Sequence, residues 1–137
     1  MALLKLNQQT SLTEPFIFKK DFNRRWIAMN ETNLMIDTIE ETRKSGLRSA
    51  LATVVSVRGS AYRREGAKMF IDENGNTIGT ISGGCLESDV AEQAKMVMDT
   101  GLALLKTYEL DEDLVWGLGL GCPGTVKIYI EPIDPLA

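Results

Sequence analysis

The chain has 137 residues, 44% of them hydrophobic and 25% charged, which fits one globular domain with a buried core. A formal net charge of −4 argues against a general nucleic-acid-binding role. With no histidine and two cysteines, the sequence excludes nucleophile–histidine pairs, histidine metal sites and a closed tetrahedral zinc site.

The sequence also lacks the features of secreted and membrane proteins. No apolar run approaches the roughly 18 residues of a membrane-spanning helix, and the first residues are too few for a signal-peptide core. Two cysteines do not form a disulfide framework. We therefore expect a cytoplasmic protein that does not contact membranes.

The first 30 residues differ from the rest of the chain. Polar residues 8–13 predict a loop, whereas Phe16, Phe22 and Trp26 predict a segment that docks on the domain or on a partner. We predict an N-terminal extension over residues 1–30, to which no motif assigns a role, and a single domain over residues 31–137.

Helical spacing first occurs in residues 32–45. Thr32 is the predicted N-cap, Leu34, Met35 and Ile39 are predicted to face inward, and Gly46 ends the helix. Residues 51–57 are β-branched and almost continuously apolar, which predicts a central strand covered on both faces.

The middle of the chain predicts a β-hairpin followed by a helix. Strands over residues 68–72 and 77–81 flank an Asn-Gly turn, the strongest hairpin signal. A helix is predicted from Cys85 to Thr100, where Gly101 stops it. Glu87 in its first turn suits the helix dipole and needs no further role.

The last third predicts two more strands, over residues 104–110 and 125–131, separated by a short helical turn over 111–116 and a glycine-rich loop. In the final strand, Val126, Ile128 and Ile130 share one face. We predict an α/β fold of the mixed α+β kind: a mixed β-sheet of about five strands with two main helices packed on it.

Two glycine-rich segments contain the chain's two cysteines. Ser82, Gly83 and Gly84 precede Cys85 at a predicted helix start, where free N–H groups attract anions and a thiolate is stabilised. The same pattern is typical of a simple helix cap with a buried cysteine.

The second segment, Gly117-Leu-Gly-Leu-Gly-Cys-Pro-Gly124, opens a strand, so it is neither a Rossmann fingerprint nor a P-loop. Gly119 and Gly121, beside Cys122, are candidates for an anion nest. Close packing against a neighbouring segment is an equally good interpretation.

A loop with three arginines follows the central strand. Guanidinium groups match phosphate and carboxylate oxygens, and the alternative is a solvated loop. The candidate ligand-binding residues outside the two glycine-rich segments are Arg58, Gly59, Ser60, Arg63, Arg64 and Lys68. Tyr62 and Trp116 are each interpreted either as a packing anchor or as the wall of a site for a ring-shaped ligand.

Three blocks together resemble the N-terminal domain of the XdhC/CoxI family, the xanthine dehydrogenase accessory proteins. They are Ala52–Ser60 with Arg63–Met69, Gly79–Glu87, and Trp116–Cys122. The resemblance implies a chaperone that binds the molybdenum cofactor (molybdopterin), supports its sulfuration with a cysteine desulfurase, and hands it to a xanthine dehydrogenase-type molybdoenzyme. It implies neither zinc nor NAD bound to this chain, and an accessory protein rather than an enzyme.

The resemblance implies that the candidate residues above bind the cofactor, and that Cys85 or Cys122 contacts molybdenum. Family members often have Ser-Pro-Arg-Arg-Pro-Gly where this chain has Ala61-Tyr-Arg-Arg-Glu-Gly66, and full members continue into a Rossmann-like domain. We therefore expect a Rossmann-like second domain or subunit as a partner, and a homo-oligomer.

Two other functions fit the residues. In the first, Cys85 and Cys122 form a sulfur-transfer or redox pair in a thiol-dependent enzyme that acts on a phosphorylated ligand. In the second, the chain is a non-catalytic adaptor that docks a molybdoenzyme through its first 26 residues.

Overall fold

The computed structural model describes the backbone of residues 24–59, 61–110 and 124–136, and side chains from residue 30 onward. The chain divides into two units, residues 1–30 and 31–137. The elements are α1 (Arg24–Lys44), β1 (Ser49–Gly59), β2 (Lys68–Asp72), β3 (Thr77–Gly79), α2 (Glu87–Thr100), β4 (Leu104–Leu110) and β5 (Gly124–Ile133). The predicted role of residues 1–30 and the predicted turn at 111–116 fall largely or wholly outside the described residues.

The five strands form one sheet in the order β3-β2-β1-β5-β4. With the two helices, this confirms the predicted α+β fold. Each neighbouring pair of these strands is antiparallel, so the described sheet does not mix strand directions. The predicted hairpin is confirmed as β2 and β3: the Asp72 carboxylate accepts the N–H groups of Asn74 and Asn76, and Gly75 takes a φ of +88°.

The core lies between one face of the sheet and α2. The predicted alternation of the last strand is confirmed, since Val126, Ile128 and Ile130 are all buried. Alanines at positions 50 and 52 of β1 and at 94 of α2 are fully buried, so the helix backbone approaches the sheet closely. The residues of this core are Ala50, Ala52, Val54, Met69, Ile71, Ile81, Leu86, Val90, Ala94, Val97, Met98, Val126, Ile128 and Ile130.

The opposite face of the sheet is only partly covered, which corrects the expectation for the central strand. Phe70 and Met35 are buried, but Val55 of β1 is 46% exposed. A continuous apolar run is therefore compatible here with one covered face.

The first helix also differs from its prediction. It begins at Arg24 rather than at Thr32, because residues 24–31 contain no glycine or proline to stop it. Leu34 is 56% exposed, whereas Met35 is buried as predicted. Gly46 ends the helix with a φ of +78°, as predicted. No helix among the described residues is long and apolar enough to cross a membrane.

Candidate functional site

The ends of three strands bring the candidate segments to one end of the sheet. Gly59, the last residue of β1, pairs with Gly124, the first residue of β5. Gly124 also pairs with Leu110, the last residue of β4. Both the arginine-rich loop after β1 and the glycine-rich loop before β5 therefore join the sheet at this end. Ser60, Trp116, Gly119, Gly121 and Cys122 lie outside the described residues.

A direct contact joins the arginine-rich loop to the first glycine-rich turn. Gly83 lies against the ring of Tyr62: a Cβ added at Gly83 would be 2.7 Å from Tyr62 Cδ1. Two of the three segments that carry the family resemblance are therefore neighbours in space, although some 20 residues of sequence separate them.

Hydrogen bonds to β1 hold the arginine-rich loop. Gly66 N donates to Val54 O at 2.8 Å, and Val54 N donates to Ala67 O at 2.9 Å. The Glu65 carboxylate accepts the N–H of Val57 at 3.0 Å. Backbone hydrogen bonds, first from its own N–H and then from that of Val57, lower the pKa of Glu65. A carboxylate thus anchors the loop at a position where the family pattern often has proline.

Glu87 organises the turn before α2, a role beyond the favourable interaction with the helix dipole that the sequence predicts. Its Oε1 accepts hydrogen bonds from Thr80 Oγ1 at 2.7 Å, Ile81 N at 3.1 Å and Ser82 N at 2.9 Å. Its Oε2 accepts from the Ser82 hydroxyl and, at 2.9 Å, from Gly84 N. Burial alone would raise the pKa of Glu87, but hydrogen bonds from Ser82 and Thr80 outweigh it and lower the pKa to about 2.

This arrangement changes the interpretation of the glycine-rich turn. The N–H groups predicted to attract an external anion instead surround an internal carboxylate. Two more are also bonded within the turn: Gly83 N donates to Thr80 Oγ1 at 3.1 Å, and Leu86 N donates to Ser82 Oγ at 2.9 Å. An external phosphate would have to displace Glu87 to bind the N–H groups of Ser82 and Gly84, and Thr80 Oγ1 to bind that of Gly83.

The expectation that a helix start stabilises the Cys85 thiolate is wrong. The helix begins at Glu87, so Cys85 lies before it, half-buried against the core. Burial, and secondarily the negative charge of Glu87, raises the pKa of Cys85. The helical spacing of apolar residues includes Leu86, which is why the sequence predicts a helix start at Cys85. In the structure Leu86 is the N-cap residue, and its side chain forms no capping hydrogen bond.

We expect Cys85 to react slowly with alkylating agents at neutral pH. In a Cys122→Ser background, iodoacetamide should modify Cys85 more slowly than it modifies a free thiol at pH 7.5, because the raised pKa leaves less thiolate. Glu87→Gln should accelerate the reaction only slightly, because burial contributes more than the charge of Glu87 to the raised pKa of Cys85. If Cys85 in the Cys122→Ser protein reacted as fast as free cysteine, the raised pKa assigned to Cys85 would be wrong.

The candidate cations point in different directions. Arg63 Nη2 lies 3.5 Å from Glu31 Oε1 of α1, and Arg64 forms a long, exposed contact of 3.7 Å with Glu65. Lys68 Nζ donates to Thr53 Oγ1 at 3.3 Å, on the sheet face opposite the core. Arg58 is exposed, and no ion pair or hydrogen bond joins its side chain to another described residue. Among the described contacts of these cations, those of Arg58 and Arg64 therefore compete least with an external anion.

A polar cluster fixes the start of α2 against the edge strand β4. Asp89 Oδ2 accepts hydrogen bonds from Lys106 Nζ at 2.7 Å and from Tyr108 Oη at 2.6 Å. Burial first, and then the hydrogen bond to Asp89, raises the pKa of Tyr108, so its hydroxyl stays protonated as a donor. The cluster has an evident structural role, because it ties the beginning of the helix to the sheet.

Comparison with known proteins confirms the family resemblance. Residues 42–109 match the XdhC and CoxI family. The chain is 37% identical over 107 residues to a probable xanthine dehydrogenase subunit of Bacillus subtilis (strain 168), covering 77% of this chain and 32% of that protein. It is 41% identical over 61 residues to the "Molybdenum cofactor insertion chaperone PaoD" of Escherichia coli (strain K12), covering 44% of this chain and 19% of that protein.

A crystal structure described as a xanthine dehydrogenase from Bacillus halodurans is also similar. The two share 39% sequence identity with a TM-score of 0.61, over 72% of this chain and 30% of that one. The chain thus spans about a third or less of the length of these relatives.

Proposed function

Since the chain belongs to the XdhC and CoxI family through residues 42–109, we propose that it is an accessory protein that binds the molybdenum cofactor and assists its insertion into a xanthine dehydrogenase-type molybdoenzyme. The names of the similar proteins, one an insertion chaperone and one a xanthine dehydrogenase subunit, support this class of role. The observation that carries the proposal is that the arginine-rich loop lies against the first glycine-rich turn, an arrangement that this chain makes through the contact between Tyr62 and Gly83.

Residues of the candidate segments fit the chemistry of the cofactor. Molybdopterin carries a phosphate, a flat pterin and a dithiolene. The exposed guanidinium groups of Arg58 and Arg64 suit the phosphate and the polar edges of the pterin, and Cys85 offers a soft sulfur ligand. When bound, the cofactor supplies the redox-active metal that the target enzyme needs. The residues of this chain bind it and orient it.

The internal carboxylate determines how a phosphate would be held. Because Glu87 already accepts the N–H groups of the turn, guanidinium groups rather than the turn's backbone bind the phosphate in our proposal. Glu87 then acts as a positioning residue, which keeps Gly83 and Cys85 in a fixed relation to the arginine-rich loop.

Further partners belong to the same proposal. A cysteine desulfurase supplies sulfur to the bound cofactor, and a Rossmann-like second domain or subunit, or a second copy of the chain, completes the site. The relatives are about 2.4 times as long as this chain, which supports the involvement of further polypeptide in the site.

A permanent subunit of a dehydrogenase is the second candidate, because two of the similar proteins are called xanthine dehydrogenases or subunits of one. Co-purification with the target separates the two roles: a chaperone leaves after the cofactor is inserted, whereas a permanent component stays in a fixed stoichiometry. A thiol-dependent enzyme with Cys85 as its nucleophile fits less well, since the pKa of that thiol is raised.

The direct test is an anaerobic titration of the purified protein with molybdenum cofactor. We expect near-stoichiometric binding, which Arg58→Ala weakens by about tenfold through loss of a charge-assisted hydrogen bond. Cys85→Ala and Cys122→Ala identify the thiol that contributes. Lys95→Ala is the matched control, because it removes one charge from an exposed side chain near the far end of α2.

Binding that responds equally to Arg58→Ala and Lys95→Ala would contradict a specific role for Arg58. If the wild-type chain fails to bind the cofactor, both alone and with an added Rossmann-like partner chain, the proposed function is wrong.

A further inference from the structure

Tyr62 is the most exposed aromatic side chain among the residues that the structure describes. Its exposed fraction is 74%, against 36% for Tyr129 on the sheet. Large apolar side chains usually gain free energy by burial, and no hydrogen bond joins the Tyr62 hydroxyl to another described residue. Its contribution to the fold is therefore small, which calls for another explanation of its position.

One face of the Tyr62 ring is covered by glycine. A Cβ built on Gly83 would lie 2.7, 2.9 and 3.0 Å from Cδ1, Cγ and Cε1 of the ring. If the added Cβ approached Cδ1 in the plane of the ring, Cγ and Cε1 would be clearly farther from it than Cδ1 is. The three distances are instead almost equal, so Gly83 lies over the face of the ring. Only a residue without a side chain permits this contact.

Hydrogen bonds hold both segments that position the Tyr62 ring. Glu87 holds the turn that contains Gly83, and the bonds of Glu65 and Gly66 to β1 hold the loop that contains Tyr62. The other face of the ring is open to solvent. A platform that is already ordered loses little conformational entropy when a ligand binds to it.

We propose that the open face of Tyr62 stacks on a flat heteroaromatic ring of the ligand, with Arg64, two residues further along the same loop, available for its anionic groups. The identification of that ring as the pterin of the molybdenum cofactor rests on the proposed function. Aromatic side chains stack on such rings with little sequence or substituent preference. Because Gly83 has no side chain, its backbone packs directly against the other face of the Tyr62 ring. Tyr62 occupies a position where the family pattern often has proline, so this contact is a property of this chain rather than of the whole family.

The test compares Tyr62→Ala, Tyr62→Phe and the control Tyr129→Ala in two titrations. The ligands are the molybdenum cofactor under anaerobic conditions and free pterin-6-carboxylate, whose fluorescence is quenched on stacking. We expect Tyr62→Ala to bind both ligands about 5- to 100-fold more weakly than wild type. Tyr62→Phe, which keeps the ring, and Tyr129→Ala should bind like wild type. Thermal unfolding of Tyr62→Ala at the wild-type temperature would exclude a folding defect.

Each outcome has a distinct meaning. If Tyr62→Ala binds the cofactor as tightly as wild type does, the stacking role is wrong and the proposed function stands. If Tyr62→Phe is as weak as Tyr62→Ala, the hydroxyl binds the ligand and stacking is again wrong. If wild type binds neither ligand, the proposed function fails, and the role of Tyr62 fails with it.

Discussion

Glu87→Ala is expected to lower the free energy of unfolding by about 2–4 kcal/mol. The substitution leaves three backbone N–H groups and two hydroxyl groups without their shared acceptor. Water replaces the carboxylate only in part, because Ile81 at the base of the turn is buried. Chemical denaturation at pH 7, followed by circular dichroism, measures the loss.

The pH dependence of stability provides a second measurement on the same residue. The pKa of Glu87 is depressed to about 2 in the folded chain, against 4.5 ordinarily. Its charge therefore stabilises the fold fully above about pH 4.5, and this stabilisation is lost as the pH falls from 4.5 towards 2. Glu87→Gln should be less stable than wild type by about 1–2 kcal/mol at pH 7, after allowance for solvent screening, and the difference should shrink across that interval.

Glu92→Gln is the matched control for this measurement. Glu92 lies on the same helix and its side chain is 69% exposed, with only a surface ion pair to Lys95. We expect its stability to stay within about 0.5 kcal/mol of wild type at every pH. Equal effects of the two substitutions would mean that the hydrogen bonds to Glu87 do not hold the turn.

Local sequence patterns predicted much of the fold. The Asn-Gly turn is correct because its conformation depends on neighbouring residues alone. The last strand is correct because Val126, Ile128 and Ile130 alternate strictly. The exposure of Val55 was missed because the pairing of β1 with β5 shifts register between Val54 and Ser56, and an apolar run does not reveal a β-bulge.

The sequence indicated where the turn of the candidate site lies, but not which group binds the N–H groups of that turn. Glycine, serine and cysteine before a helix correctly marked the turn. The acceptor of its N–H groups was missed because most of the bonds to Glu87 come from five to seven residues back. Only the bond from Gly84 N has the three-residue spacing of a capping box, and glycine has no side chain to signal one. The only signal was a carboxylate following two hydroxyl residues, Thr80 and Ser82. The contact between Tyr62 and Gly83 depends on tertiary structure, so no local pattern could have predicted it.

Gly79→Ala should be the most damaging single-methyl change in the described part of the hairpin, with a loss of about 3–4 kcal/mol. Gly79 has a φ of +86°, which strains any residue with a side chain. A Cβ there would also lie 2.4 Å from Lys68 O, a backbone atom of the paired strand, and 2.8 Å from Met35 Cε. The methionine can move, but the carbonyl oxygen is held by the sheet.

Gly75→Ala separates the effect of backbone strain from that of the steric clash. Like Gly79, Gly75 has a positive φ, but an added Cβ there would not clash with a neighbouring atom. Gly75 has a φ of +88° and nothing within 4 Å of an added Cβ, so we expect a loss of only about 1–2 kcal/mol. The difference between the two variants in urea denaturation measures the clash with β2. Equal losses would mean that the strands separate at little cost.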